Sequence, residues 1–333
     1  MKPLVIYHAD CTDGYGAAFA AWLKLGDEAE YLPMNYNTIK EPANLVGMFG
    51  DTFAEREVYI LDFSLPREAM DWLFSKAKRV VWLDHHKTAF EMWNAAEWQN
   101  QPNGYFCKVY GDKHYIHLHP TKSGALLAWE YFHPGTEVPM LIQHIDDRDR
   151  WQWKMEGSAE LHAALGAMQP WSFEQWMQFV PYFDDTRPYI DLKTEGTAIL
   201  RAQKQHVERM AKQARKCSIP ARREVPPNPN TGEGKPYSDW RYVSDDVGSW
   251  WFATGLAVNA SIHQSEVGHE LANQSGTYGL VWYLGSDGRA RCSLRSNGEY
   301  DVSAIARAFG GGGHRNAAGF ETDIKTLMGW LHV

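Results

Sequence analysis

Three short apolar runs in this chain each end in an acid or a histidine, and that repetition limits the folds open to it. Leu4-Val5-Ile6-Tyr7 runs into His8, with Asp10 and Asp13 close behind. Val58-Tyr59-Ile60-Leu61 runs into Asp62, and Val80-Val81 leads through Trp82-Leu83 into Asp84-His85-His86. Near-continuous apolar runs of this kind suit strands buried on both faces of a parallel sheet. Open α/β sheets place their chemistry at the carboxyl ends of such strands. A single Asp after a strand is an ordinary turn residue; three strand ends with histidines attached call for another explanation.

Helical patterns fill the gaps between the runs. Residues 14–25, 66–77 and 87–98 read as helices, and 3–7, 57–62 and 79–84 as strands. That βαβα rhythm predicts an α/β protein whose N-terminal domain is built on a parallel sheet. Further helices are expected at 121–132 and 137–146, and short capping helices in the Trp- and Phe-rich stretch 151–190. The polar stretch 191–217 reads as a linker helix. It divides a catalytic domain, 1–190, from a smaller α/β substrate-binding domain, 218–333. Prolines 220, 226, 227, 229 and 236 make 219–248 loop chemistry. Strands follow at 251–258, 278–284 and 289–295, with Asp287-Gly288 turning between the last two, and helices at 262–273, 301–309 and 324–331.

A length of 333 residues favours two cores over one. The formal net charge of −8 argues against a nonspecific binder of long duplex, which needs a basic excess to neutralise phosphates. A small anionic ligand, held by cations and a few placed Arg and Lys, fits better. The four cysteines form no CxxC pair, no apolar run nears the roughly 18 residues of a membrane span, and the N-terminus does not read as a signal peptide. A cytoplasmic protein with no membrane partner is therefore expected. Homodimerisation is left open.

Neighbouring strands lie about 4.8 Å apart, so Asp10, Asp13, Asp62 and Asp84 can converge. Converging carboxylates repel and raise one another's pKa unless a cation neutralises them. Carboxylate alone suits Mg²⁺; carboxylate with the imidazoles of His8 and His85 tilts the choice toward Mn²⁺. A second cluster is the run Gly310-Gly311-Gly312-Gly313-His314-Arg315. Successive glycines permit unusual backbone conformations and can bring several N–H groups onto a phosphate. Arg295 and Ser296, at the end of a strand, read as a clamp for a second phosphate. Trp151, Trp153, Trp171, Trp176, Trp250 and Trp251 carry faces on which bases can stack, but core is the default expectation for each.

Taken in order, His8-Ala9-Asp10-Cys11-Thr12-Asp13-Gly14, Asp62, Asp84-His85-His86, the turn Asp146-Asp147-Arg148-Asp149 and the terminal Gly-rich motif ending at His314 resemble the DHH phosphoesterase superfamily. Leu294-Arg295-Ser296, Asp301 to His314 and Ala317 to Phe320 resemble its DHH-associated domain. The resemblance covers nearly the whole chain. It implies metal-dependent hydrolysis of short oligonucleotides to mononucleotides. Cyclic-dinucleotide phosphodiesterase, RecJ-like single-strand exonuclease and a catalytically inactive nucleotide-binding module are the alternatives. It also implies one or two Mn²⁺ ions, with Mg²⁺ or Co²⁺ as substitutes, on His8, Asp13, Asp62, His85 and one acid of the 146–149 turn, for which Asp147 is favoured. Asp62 would bridge the metals, Asp84 orient the groups around them and His86 touch the scissile phosphate. Arg295, Ser296, Gly311, Gly312, Gly313 and His314 would hold a short nucleic acid or nucleotide, in a cleft between the domains. One departure stands out. Many members carry two aspartates one residue apart after the first histidine, whereas Asp13 is followed by Gly14 and Tyr15. Asp10 is the substitute expected from the other side.

Overall fold

The computed structural model describes residues 1–35, 38–39, 41–49, 53, 56–98, 103–180, 187–222, 241–245, 248–298 and 300–332. They fall into two compact units, Met1–Leu200 and Arg201–Val333.

The first unit carries six strands: β1 (Leu4–His8), β2 (Glu30–Met34), β3 (Glu57–Leu61), β4 (Arg79–Asp84), β5 (Phe106–Tyr110) and β6 (His114–Leu118), in the order β2-β1-β3-β4-β6-β5. All pairs are parallel except β5 with β6. Its helices are α1 (Thr12–Leu25), α2 (Pro42–Phe49), α3 (Arg67–Lys76), α4 (Lys87–Met92), α5 (Gly124–Phe132), α6 (Met140–Asp149), α7 (Ser158–Ala167) and α8 (Phe173–Met177). The three apolar runs are the three central strands. Alternate residues feed two cores, Val5, Tyr59, Leu61, Val81 and Leu83 on one face and Leu4, Ile6, Ile60, Val80 and Trp82 on the other. The chain leaves β1 toward β2 on one side and reaches β3 on the other, so a topological switch point falls beside the carboxyl end of β1, next to those of β3 and β4.

A long helix, α9 (Arg187–Ala211), runs through the boundary between the units. The expected linker helix 191–217 starts earlier and stops sooner, because Arg215–Cys217 already belong to a strand. The second unit has β7 (Arg215–Arg222), β8 (Arg241–Asp245), β9 (Gly248–Asn259), α10 (Gln264–Ser275), β10 (Tyr278–Leu284), β11 (Arg289–Ser296), α11 (Val302–Ala308), β12 (Gly312–His314), β13 (Ala317–Asp323) and α12 (Ile324–Trp330). Its mixed sheet runs β12-β13-β11-β10-β9-β7, with β8 also pairing β9. Most of the loop expected at 219–248 lies outside the described residues, and its two ends are strands. Among the described residues no helix is long and apolar enough to cross a membrane.

Candidate functional site

The carboxyl ends of β1, β3 and β4 converge on a cage of imidazoles and carboxylates. Asp62, which follows β3, sits at its centre. Its Oδ1 lies 3.1 Å from His85 Nε2 and 3.8 Å from His86 Nδ1, and its Oδ2 lies 3.7 Å from His8 Nδ1. His85 Nε2 is also 3.6 Å from Asp13 Oδ2 and 3.5 Å from Asp149 Oδ2. Three overlapping donor groups result: His8–Cys11–Asp62, Asp62–His85–His86 and Asp13–His85–Asp149, each with its ligand atoms within 4.8 Å of one another.

Local backbone chemistry builds this cage. Asp62 takes a left-handed conformation, φ 52°, which Asp tolerates better than most residues. A Cβ added at Gly14 would sit 2.2 Å from the His8 carbonyl oxygen, and one at Gly124 would sit 2.3 Å from Asp62 Cβ. Glycine at those positions is what allows α1 to start tight against β1 and α5 to start against Asp62. The Asp13 carboxylate accepts from the Gly124 and Ala125 amides at 2.7 and 2.8 Å, so it satisfies two orphan N–H groups of α5 and meets that helix's positive end.

Burial makes the electrostatics severe. It pushes the Asp13 carboxyl well above the usual range, together with the charges of Asp62 and Asp149 and against His85 and the Ala125 amide. It also opposes a charged His85, yet Asp149, Asp62 and Asp13 prevail and hold that imidazole well above its ordinary value. Asp62 is penalised by burial in the same way, but hydrogen bonds from His8 and His85 and the charges of His86 and His85 keep it far below the carboxylate range. The cage thus gathers protons to offset its own negative charge, a task a divalent cation performs better while displacing them. The donor set fits such an ion: carboxylate oxygen with imidazole nitrogen.

Asp84 itself is fully buried and touches no open space. Its Oδ1 accepts from the His85 and His86 amides at 2.7 and 3.1 Å and from His86 Nδ1 at 2.7 Å. Burial opposes its charge, but His86 and His85 outweigh that and hold Asp84 below the usual range. As an ionised acceptor it fixes the Nδ1–H tautomer of His86. Asp84 thus holds His86 and joins none of the three donor groups.

Two expected ligands lie elsewhere. Asp10 is exposed at φ 54°, with its Oδ2 accepting from Asn35 Nδ2 at 3.4 Å, and it belongs to none of the three donor groups. The Asp-rich turn is the last turn of α6. There Asp147 spends its carboxylate on the Lys154 and Met155 amides at 2.8 and 3.2 Å and the Ser158 hydroxyl at 2.7 Å. Burial opposes its charge, but Ser158, the two amides and His144 together hold it below the usual range. The acid beside His85 is Asp149. Sequence reasoning also missed Cys11. Its Sγ joins His8 and Asp62, although burial and then the charges of Asp62, Asp149 and Asp13 push its thiol up. Its place inside the first motif, between two acids, was the available signal.

The second unit arranges its expected residues differently. Arg295, Ala317 and His314 lie in one row across β11, β13 and β12, so Arg295 and His314 share a face with only a small residue between them. Arg295 donates to the Ser293 and Ser265 hydroxyls at 3.2 and 2.7 Å and to the Leu294 carbonyl at 2.8 Å. Ser296 points to the opposite face, where its buried hydroxyl donates to the Tyr300 carbonyl at 2.7 Å; the two-residue period of a strand prevents it from joining Arg295 in one clamp. The glycine run is not a free loop. The Gly310 and Gly311 amides bond back to Arg307 and Ala306 of α11, and Gly312–His314 form edge strand β12. Gly311 has no room for a side chain, since a Cβ would sit 2.1 Å from the Gly319 carbonyl oxygen.

Comparison with known proteins adds four findings. The DHHA1 domain family matches residues 254–327. An uncharacterized protein of Acanthamoeba polyphaga mimivirus is 28% identical over 331 residues, covering 95% of this chain and 66% of the viral protein, so the chain spans just under two thirds of that relative. Oligoribonuclease NrnB of Bacillus subtilis is 23% identical over 334 residues, covering 94% of this chain and 71% of NrnB. Among solved structures, Thermus thermophilus RecJ in complex with Mn²⁺ aligns with TM-score 0.48 and 11% identity, covering 98% of this chain and 50% of RecJ.

Proposed function

We propose, for a chain that belongs to the DHH phosphoesterases with a C-terminal DHHA1 domain, that it is a metal-dependent phosphodiesterase hydrolysing short oligonucleotides to mononucleotides. The observation that carries this reading is the cage around Asp62, in which three histidines, three carboxylates and Cys11 form linked donor groups. His8, Asp13, Asp62, His85 and Asp149 are the proposed ligands, with Asp62 common to two ligand groups. Mixed nitrogen and oxygen donors favour one or two Mn²⁺ ions over Mg²⁺, with Co²⁺ a close substitute. Such ions, when bound, activate a water and offset charge on the phosphate.

The chain's own groups do the rest. Asp84 holds His86 through Nδ1, so Nε2 is the nitrogen turned to a phosphate oxygen, to which it donates when the ring carries its second proton. In the second unit Arg295 and His314 are the proposed anion-holding pair. The short substrate is supported by the acidic net charge of −8 and by the named activity of the NrnB relative.

The test is hydrolysis of labelled dinucleotides, pentanucleotides and a long oligomer with Mn²⁺. Mononucleotides released fastest from the short substrates, stopped by chelator and lost in Asp62→Ala and His85→Ala, support the reading. Ligand binding without turnover under Mn²⁺, Co²⁺ or Mg²⁺ would identify a binding module instead.

A further inference from the structure

We propose that Trp151 and Trp153 form a platform on which a nucleobase of the substrate stacks. This rests on the phosphodiesterase reading and adds to it the residues that hold a base of the substrate. The two indoles are 43% and 39% exposed, and among the described residues no other Trp, Tyr or Phe side chain is exposed to that degree. Core was the default expectation for the tryptophans. Trp176 meets it, fully buried; Trp171 is partly buried against the same core; and the side chains of Trp250 and Trp251 lie outside the described residues.

The backbone sets the exposed pair apart as well. Trp151 and Trp153 both take left-handed conformations, φ 55° and 54°, where a bulky residue is a genuine outlier. Such conformations persist only where the surroundings enforce them, and they concentrate at ligand clamps. Here Asp147 enforces them. Its carboxylate binds the Lys154 and Met155 amides, its carbonyl accepts from Gln152 N at 2.8 Å, and the Arg148 carbonyl accepts from Trp151 N at 2.9 Å. A loop tied this firmly presents its indoles ready-made, so little ordering entropy is spent when a ring stacks on them.

Position completes the case. The platform begins two residues after Asp149, whose carboxylate lies 3.5 Å from His85 Nε2. The Arg148 guanidinium lies 6.0 Å from the Trp151 ring, and its charge also acts on His162. That histidine meets the Thr12 hydroxyl at 3.2 Å, next to Asp13. The two rings meet edge to face, 5.0 Å apart at 75°, so each braces the other. Exposed indole faces on the loop that follows Asp149 offer the sequence-tolerant surface that base stacking requires.

The test compares a dinucleotide with the same phosphodiester lacking both bases, using wild type, Trp151→Ala, Trp153→Ala and the two Phe variants, which keep an aromatic face. For the dinucleotide, KM is expected to rise roughly five- to hundredfold in the Ala variants with little change in kcat. Phe should restore most of the loss, and the abasic diester should not respond to any variant. An unchanged KM for the dinucleotide, or an equal loss for both substrates, would overturn the platform while leaving the hydrolase reading intact. Quenching of tryptophan fluorescence by a non-hydrolysable phosphorothioate dinucleotide reads the platform without turnover. Quenching lost in the Ala variants supports it even if wild type cleaves nothing, and quenching that persists in them rules it out.

Discussion

The two units solve opposite electrostatic problems. In the first, buried carboxylates crowd around Asp62 and lean on His8, His85 and a helix N-terminus for positive charge. In the second, Arg295 and His314 share a sheet row across which Ala317 is the only intervening residue. One region crowds acids together and the other sets an arginine and a histidine in one row. Under the proposed function the chemistry is divided by charge: a side-chain cage that would take metal, and an arginine-and-histidine row that would take phosphate.

The largest effect should come from breaking the cage. Asp62→Ala removes a carboxylate common to two ligand groups and should cost on the order of a thousandfold or more in kcat/KM, measured with saturating Mn²⁺ on a dinucleotide. Next, the two neighbouring acids of α6 should separate cleanly. Asp149→Ala should weaken Mn²⁺ binding by calorimetry with little change in melting temperature. Asp147→Ala strands the buried Ser158 hydroxyl, at a cost of about 1–3 kcal/mol, together with two part-buried amides, and should lower the melting temperature by roughly several degrees.

In the second unit, Arg295→Ala should raise KM about tenfold or more, the worth of a charged hydrogen bond, while Mn²⁺ affinity stays the same. Ser296→Ala should leave KM unchanged and cost only about 0.5–1.5 kcal/mol of stability, since its hydroxyl serves the Tyr300 carbonyl.

A subtler contrast lies between two histidines of the first unit. His85 is held above its ordinary value, whereas burial, aided by Arg148, pushes His162 down to about 3. As pH falls from about 6.5 toward that value, the unfolded chain takes up a proton that folded His162 refuses. Its contribution is therefore present above the window and lost across it on acidification. Replacing His162 by Phe should flatten the fall in denaturation midpoint over that range relative to wild type.

Much of this was legible in the chain. The central strands announce themselves because burial on both faces demands unbroken apolar runs, and their carboxyl ends carry His8, Asp62, Asp84 and His85 directly. The outer strands were harder to read. β2 contains Pro33 and β6 carries His114 and His117, so neither is an apolar run. The glycine run read as loop because nothing local reveals that β13 pairs with it. The choice of Asp149 over Asp147 could not come from spacing. It depends on how the chain after α6 folds back onto the Asp147 carboxylate. Ser296 failed for a simpler reason: strand alternation already implied that it and Arg295 face opposite ways.

Anomalous diffraction from crystals grown with Mn²⁺ tests the central claim most directly. One or two peaks ligated from among His8, Asp13, Asp62, His85 and Asp149, with the Asp147 carboxylate still on its two amides, are the expected result. Peaks held by Asp10 or Asp147, or no peak among these side chains, would contradict it.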